Sequence, residues 1–386
     1  MRFDRLGILL ILFIIYVGST IPTPLYMLYR REFGFSEIVL TLIYAVYVLG
    51  SLCALLFFGR LSDQIGRRPV MLAVLIVTAI STLIFIFEDN LAMLFVARLL
   101  SGLGVALTTG TLTAWLTEVY PRKQAQRATT LVVATSVLGL GVGPLLAGFL
   151  AQFEPLALRL VYYVFLGLLA IAAAILSRLP ETVEETQEMS LRPRVGVPAE
   201  QRQQFITPAV TAFVTFAVSG FYTALLPSLL ANSLLIQSHA VDGAVVFEMF
   251  VLGFTAVMLT GGLDSNRLML TGLGLLIPAV ALLISAQRLE SLPLLLLATA
   301  LGGASYSLGF AGSLRVVNEM APAERRSEMI SAFLLFCYAG ISVPVIGVGL
   351  LTQYLNASLA VLTFGIVLAV MAAAVLPLGV KYASAR

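Results

Sequence analysis

Apolar runs long enough to cross a lipid bilayer recur twelve times along this chain of 386 residues, and they decide its fold class before any motif is read. A membrane helix needs about 20 apolar residues. Runs of that order fall near 6–26, 38–58, 70–87, 91–113, 128–150 and 158–178. After a polar stretch at 180–204 they resume near 205–230, 241–261, 268–287, 291–314, 327–351 and 357–380. Composition agrees: 60% of residues are hydrophobic and 11% charged, against about 45–50% and about 25% in soluble domains. The short loops leave almost no room for an extramembrane domain, so a water-soluble enzyme is excluded.

The first run follows Arg2 and Arg5 and ends at Pro22-Thr23-Pro24. A signal peptide has a shorter apolar core and a small-residue cleavage site, so this run is expected to be a retained first helix. One His and two Cys (Cys53 and Cys337, both in apolar runs) exclude a zinc cluster or a disulfide framework. The net charge of +3 does not make a nucleic-acid binder, because the basic residues are dispersed over short loops.

Lys and Arg set orientation in membrane proteins by collecting on the cytoplasmic side. With the N-terminus inside, eighteen of the 23 fall on inner segments, including Arg2, Arg60, Arg122, Lys123, Arg127, Arg267 and Lys381. Four (Arg30, Arg31, Arg159 and Arg288) fall outside, and Arg98 lies within a span. The bias supports twelve spans with both termini cytoplasmic.

Residues 180–204 separate two halves, 1–179 and 205–386. This linker carries Glu181, Glu184, Glu185 and Glu188, then Arg192, Arg194 and Arg202, and reads as a solvated cytoplasmic segment. The halves repeat. Glu118-Val-Tyr-Pro121 returns as Glu319-Met-Ala-Pro322, and Gly139 and Gly148 return as Gly340 and Gly349, all at a shift of 201. Gly59-Arg-Leu-Ser-Asp63 returns more weakly as Gly261-Gly-Leu-Asp264. The expected fold is therefore an all-α membrane protein of 12 transmembrane helices, arranged as two six-helix pseudo-repeats around a central cavity. Parallel repeats of this kind are a transporter architecture.

Between the second and third spans stands Gly59-Arg60-Leu61-Ser62-Asp63-Gln64-Ile65-Gly66-Arg67-Arg68-Pro69. Gly59 and Gly66 permit tight turns, and Asp63 places a charge at the membrane boundary. This segment resembles the cytoplasmic loop signature of the major facilitator superfamily, and the rest of the chain fits that family from end to end. Gln64 departs from the family's usual Arg, and the second copy at 261–270 is eroded. By the resemblance, Asp63, Arg67 and Glu118 form a gating charge cluster against the start of the eleventh helix, with Gly59, Gly66 and Arg68 completing the loop.

Three further features carry chemistry. In the fourth span, Arg98-Leu-Leu-Ser101-Gly102-Leu-Gly104 places a cation inside the membrane, where it faces a cavity or a partner or snorkels to the outer headgroups. In the fifth span, Gly139-Leu-Gly141-Val-Gly143-Pro144, followed by Gly148, resembles the family's antiporter motif. Pro144 breaks a backbone hydrogen bond, while the glycines allow close packing. Ordinary glycine packing is the alternative. Glu248 is the one acid well inside an apolar run. It is a candidate proton carrier, unless its helix begins later and it faces water.

Polar stripes complete the candidate set. Tyr16, Ser19, Thr20 and Thr23 share one face of the first span, and Thr215, Ser219, Tyr222 and Thr223 one face of the seventh. They line a partly polar cavity or bond back to their own helices. No charge appears among them, which favours a lipophilic or neutral substrate.

The resemblance points to the bacterial 12-helix exporter branch: proton-coupled efflux of small amphiphilic molecules from a monomer in the cytoplasmic (inner) membrane. It implies no cofactor, the proton gradient as energy source, and lipid and a small-molecule substrate as the only partners. An importer or uniporter of a sugar or small metabolite is the alternative on the same fold. A non-transporting receptor or assembly subunit is the alternative of another class, and the short loops disfavour it. No Gly-x4-Gly-Lys loop is present to support ATP-driven pumping.

Overall fold

A computed structural model describes residues 2–121, 125–152, 156, 158–183, 195–260, 262–322 and 325–384. Arg122, Lys123, Gly261, Arg386 and the linker acids and arginines within 184–194 lie outside the described residues. Every regular element among the described residues is helical.

The first run forms α1 (Arg2–Thr20) and α2 (Tyr26–Phe33), joined by a 3-10 turn at Thr23–Leu25. The break follows from Pro22 and Pro24, which cannot donate to the helix ladder. The helical stretch continues seven residues beyond the expected end at 26, through a polar segment with Arg30 and Arg31 in its last turn. Next come α3 (Glu37–Phe58), the short α4 (Leu61–Ile65), α5 (Arg67–Phe87), α6 (Leu91–Val119), α7 (Ala125–Ala151) and α8 (Leu160–Leu176). After the linker come α9 (Arg202–Ala224), α10 (Leu226–Asn232), α11 (His239–Leu259), α12 (Ser265–Arg288), α13 (Leu292–Met320), α14 (Arg326–Tyr354) and α15 (Ala357–Ser384).

Local sequence explains where these helices begin and end. Asn90, Ser238, Asp264 and Ser291 each stand just before a long helix, and each side chain accepts a hydrogen bond from a backbone N–H in the first turn. Such caps are worth about 1 kcal/mol apiece. Helices α6 and α13 both stop two residues before a proline, Pro121 and Pro322, because the residue before proline is steered away from helical geometry.

Eleven helices among the described residues are long and apolar enough to cross a membrane, counting α1 with α2 as one. The twelfth expected span appears as α8, which is apolar but only 17 residues long. The chain is a multi-pass membrane protein.

Two compact units emerge, Met1–Phe33 with Val46–Pro193, and Gly34–Ala45 with Arg194–Arg386. In the first, α1 packs on α6, α7 and α8, and α5 packs on α6 and α8. In the second, α13 packs on α9, α11 and α12, while α9 packs on α14. Helix α3 is shared. Its first turns group with the second unit, where Tyr44 Oη lies 2.6 Å from Thr223 Oγ1, and its remainder groups with the first. A division of the sequence at the linker assigns all of α3 to the first half, so the units differ from it at Gly34–Ala45.

Candidate functional site

The loop after α3 builds a compact charge cluster. Gly66 holds φ at +106°, a region that suits glycine alone, and this reversal starts α5 at Arg67. The Arg67 guanidinium is buried at 5% exposure. Its Nη1 meets Asp63 Oδ1 at 2.5 Å and Ser62 Oγ at 2.7 Å. Its Nη2 and Nε reach the two oxygens of Glu118 at 2.6 and 3.5 Å. One guanidinium thereby ties the short α4 to the end of α6 by a two-pronged ion pair. Gly59 lies at the turn leaving α3, where an added Cβ would stand 2.7 Å from the Leu55 carbonyl oxygen.

The same cluster extends into the linker. The Glu181 carboxylate accepts from the backbone N–H groups of Arg67 (3.0 Å), Arg68 (2.8 Å), Thr182 (2.8 Å) and Val183 (3.1 Å). Burial works to raise its pKa, but the four donors outweigh that and hold it below the ordinary carboxylate range. Thr182 Oγ1 donates to Glu118 at 2.5 Å, and Arg68 Nη2 donates to the Ser177 carbonyl at 3.1 Å.

Helix α7 presses on α1 through its glycines. A Cβ at Gly139 would come within 2.7 Å of Tyr16 Cβ and 2.9 Å of Phe13 O, and one at Gly143 would overlap Val17 O and Thr20 Oγ1. Pro144 lies inside a continuous α7 rather than ending it. Having no N–H, it leaves the carbonyl of Leu140, four residues earlier, without its ladder donor. Thr20 of α1 supplies one: its Oγ1 donates to Leu140 O at 3.0 Å. Gly148 is buried on the same helix.

Arg98 is buried at 2% exposure, which removes the snorkelling alternative. Its Nη1 donates to the Ser19 carbonyl at 3.0 Å, and its guanidinium lies 4.5 Å from the centre of the Tyr47 ring, a cation–π contact. Gly102, one turn on, lets α6 approach α3 so closely that a Cβ there would overlap Tyr47 O.

Glu248 stands nine residues into α11, about 13.5 Å from its start, so the alternative in which that helix begins after Glu248 is overturned. It is half-buried, and its Oε2 is buried without a hydrogen-bond partner. It acts electrostatically on Tyr222 of α9. Arg98 and Glu248 fall in different units.

Several stripe residues bond within their own unit, while Tyr222 Oη is buried without a hydrogen-bond partner. Ser19 donates to Tyr16 O, Thr215 to Thr211 O, and Thr223 to Ser219 O. These are the back-bonds that Ser and Thr make in apolar helices. Tyr16 Oη instead crosses to Thr109 Oγ1 at 2.8 Å. Thr23, Ser219 and Tyr222 are buried, Tyr222 at 1% exposure. Ser19 also lines a small cavity in the first unit.

Residues 8–283 match the Major Facilitator Superfamily. The chain belongs to that superfamily. This superfamily member is 26% identical over 217 residues to the quinolone resistance protein NorA of Staphylococcus aureus (strain MRSA252), covering 55% of each chain. It is 27% identical over 259 residues to multidrug resistance protein 1 of Bacillus subtilis (strain 168), covering 65% of this chain and 61% of that one. The chain thus spans about half to three-fifths of the length of these curated relatives. Its fold is that of a crystallised D-xylose–proton symporter, with a TM-score of 0.74, 14% identity and 97% of both chains covered.

In the superfamily loop, Glu181 and Thr182 were not paired with α5 and Glu118 from sequence, although Glu181 is exposed as a solvated linker expects. A signal was available: α5 begins at Gly66-Arg67-Arg68, with no Ser, Thr, Asn or Asp to cap it. Its first N–H groups therefore need an acceptor from elsewhere in the chain. The second loop copy keeps part of the pattern. Asp264 pairs with Arg267 at 3.0 Å, and Ser265 Oγ bonds Glu319.

Proposed function

We propose that this chain is a secondary active exporter that moves small amphiphilic molecules outward in exchange for protons, by alternating access. The observation that carries the reading is the α1–α7 seam. Gly139 and Gly143 bring the helices into backbone contact, and the carbonyl freed by Pro144 is held by Thr20. A seam held by small residues and one interhelical bond can seal a helix pair and still reform, which suits exchange. The resistance named for NorA and the Bacillus relative supports efflux.

On this reading the protein sits in a bacterial cytoplasmic membrane with both termini in the cytoplasm, as the arginine bias expects, and acts as a monomer. Residues 1–179 and 205–386 are its two transport halves and 180–204 the linker. The Asp63–Arg67–Glu118 cluster is a cytoplasmic gate, and Glu248 carries the proton. Import of a sugar or small metabolite is the second reading, and the fold shared with the D-xylose symporter supports it.

Inside-out vesicles carrying the protein, given an imposed proton gradient and a fluoroquinolone as probe, should accumulate the probe while the gradient dissipates. Glu248→Gln should abolish gradient-driven accumulation and leave probe binding measurable. Accumulation of a sugar panel by right-side-out vesicles, with protons moving in the same direction and no fluoroquinolone export, would replace this reading with the importer.

A further inference from the structure

We propose that Glu88, with the Tyr29–Tyr162 hydroxyl pair and the small cavity that Tyr162 lines, forms a proton-binding site at the outer end of the first unit. "Outer" rests on the topology proposed above; the site itself does not.

Glu88 follows the last residue of α5, at the end remote from the Gly59–Pro69 loop. A carboxylate at a helix end should point into water. Glu88 is instead only 7% exposed, and its Oε2 is buried with no hydrogen-bond partner. Its own backbone N–H is the donor that reaches its side chain. A buried ionised carboxylate without partners costs several kcal/mol. Taking up a proton at Oε2 removes the charge and creates an O–H donor.

The neighbourhood is built to receive that donor. Phe85, three residues earlier on the same face of α5, stacks on Tyr162 of α8 at 4.8 Å and lies 6.4 Å from Tyr29 of α2. The buried Tyr29 Oη donates to Tyr162 Oη at 3.0 Å, and Glu88 acts electrostatically on both. Tyr162 also lines a small cavity with Ser19, Thr78, Thr82 and Ser101. The space is about that of one water molecule, and Thr78 Oγ1 there is buried without a partner. At its far side is Ser19, whose carbonyl holds Arg98. The cavity thus joins Tyr162 to Ser19, the residue that seats the buried arginine.

The charged groups acting on Glu88 are Arg159 before α8 and Glu32 on α2, with Asp89 next in sequence. Tyr29 on α2 and Tyr162 on α8 feel its charge. Desolvation comes first among the causes, Arg159 opposes it, Glu32 adds to it, and the carboxyl is raised to about 8. The balanced step is simple. A proton from water joins Oε2 as the pH falls, the carboxylate becomes a neutral acid, and the same proton returns to water as the pH rises.

Infrared difference spectra of the purified full-length protein, titrated from acid to alkaline pH, test this directly. The carbonyl stretch of a protonated carboxyl should disappear with a midpoint near 8. It should be absent from Glu88→Gln and retained in Glu248→Gln. Tyr162→Phe, which keeps the carboxyl and the ring stack, should shift the midpoint. A band that survives Glu88→Gln overturns the site, as does a protein with no carboxyl titrating in that range. A midpoint unmoved by Tyr162→Phe overturns the role of the hydroxyl pair. The fluoroquinolone assay fails or succeeds separately. A Glu88 band without gradient-driven export refutes the exporter and leaves the site, and export without the band does the reverse.

Discussion

Thr20 and Pro144 should be energetically coupled although they lie on different helices. Pro144 removes the N–H that would have bonded Leu140 O, and Thr20 Oγ1 fills the gap at 3.0 Å. Its alternative acceptors, Tyr16 O and Val17 O, stand at 3.5 Å, so the Leu140 bond is the better one. Thr20→Val keeps the side-chain volume and deletes the donor, leaving a buried carbonyl short of a partner. Leaving such a group unmade costs about 1–3 kcal/mol, while interhelical bonds in membranes average about 0.6 kcal/mol with a ceiling near 1.7. We therefore expect a loss of about 1 kcal/mol, or roughly 1–2 °C in melting temperature for a chain of this length. In a Pro144→Ala background the new N–H can bond Leu140 O within α7, and the same Thr20→Val change should cost close to nothing. Trp115, the chain's single tryptophan, is fully buried in α6 of the same unit. Its fluorescence can follow thermal unfolding of all four proteins in detergent. Equal cost of Thr20→Val in both backgrounds would refute the compensation.

Three further outcomes follow from the loop. Glu181→Gln should lower stability by about 1 kcal/mol, the worth of a helix cap, and flatten the acid limb of the pH–stability curve. The sign is fixed by the depressed pKa: the carboxylate's contribution is present above its ordinary value of 4.5 and is lost as the pH falls through the lower folded value. Gly66→Ala should cost about 1–2 kcal/mol for its left-handed backbone. Its Cβ would stand 2.8 Å from Glu181 Oε2, so combining it with Glu181→Gln should cost less than the sum in a double-mutant cycle. Asp63→Asn should change stability by under about 0.5 kcal/mol, since Asp63 is half exposed and Arg67 keeps Glu118 and Ser62. If the cluster gates transport, vesicle uptake of the fluoroquinolone should nevertheless fall sharply.

The helices were legible because lipid imposes a length and an apolar composition that few other constraints disturb. The starts agree closely, but the fourth and tenth apolar runs end near 113 and 314, six residues before the helices stop at Val119 and Met320, ahead of Pro121 and Pro322. Gly139, Gly143 and Pro144 were legible as a packing face, but their partner was not, since nothing in the sequence pairs Leu140 with Thr20. The stripes on α1 and α9 show a real limit of periodicity. Ser219 and Thr223 four residues apart look alike whether they face a cavity or bond back to their own helix. Only coordinates separate these cases. Glu88 was invisible for a related reason. An acid immediately after an apolar run reads as a solvated helix end, and nothing in the sequence next to Glu88 signals that it is buried.

The duplicated architecture separates what the scaffold requires from what chemistry changes. Gly102 of α6 crosses α3 against Tyr47 O, and Gly303 of α13 crosses α11 against Met249 O. Gly139 meets Phe13 O, and Gly340 meets Phe213 O. These glycines repeat at a shift of 201 because a close helix crossing tolerates no Cβ, whatever the side chains beside it do. The neighbouring positions did diverge. Arg98 corresponds by the same shift to Thr299, whose hydroxyl bonds back to Leu295 O. Tyr47, which faces the Arg98 guanidinium, corresponds to Glu248. One unit thus carries a buried cation against an aromatic ring, and the other an acid beside Tyr222, on the same pair of crossing helices. A duplicated unit under packing constraint alone would have no reason to exchange a charge at matched positions while keeping the crossing glycines, Gly102 with Gly303 and Gly139 with Gly340. The two copies therefore differ in charge at this one crossing, Arg98 against Tyr47 in the first and Glu248 with Thr299 in the second, while its packing glycine is common to both.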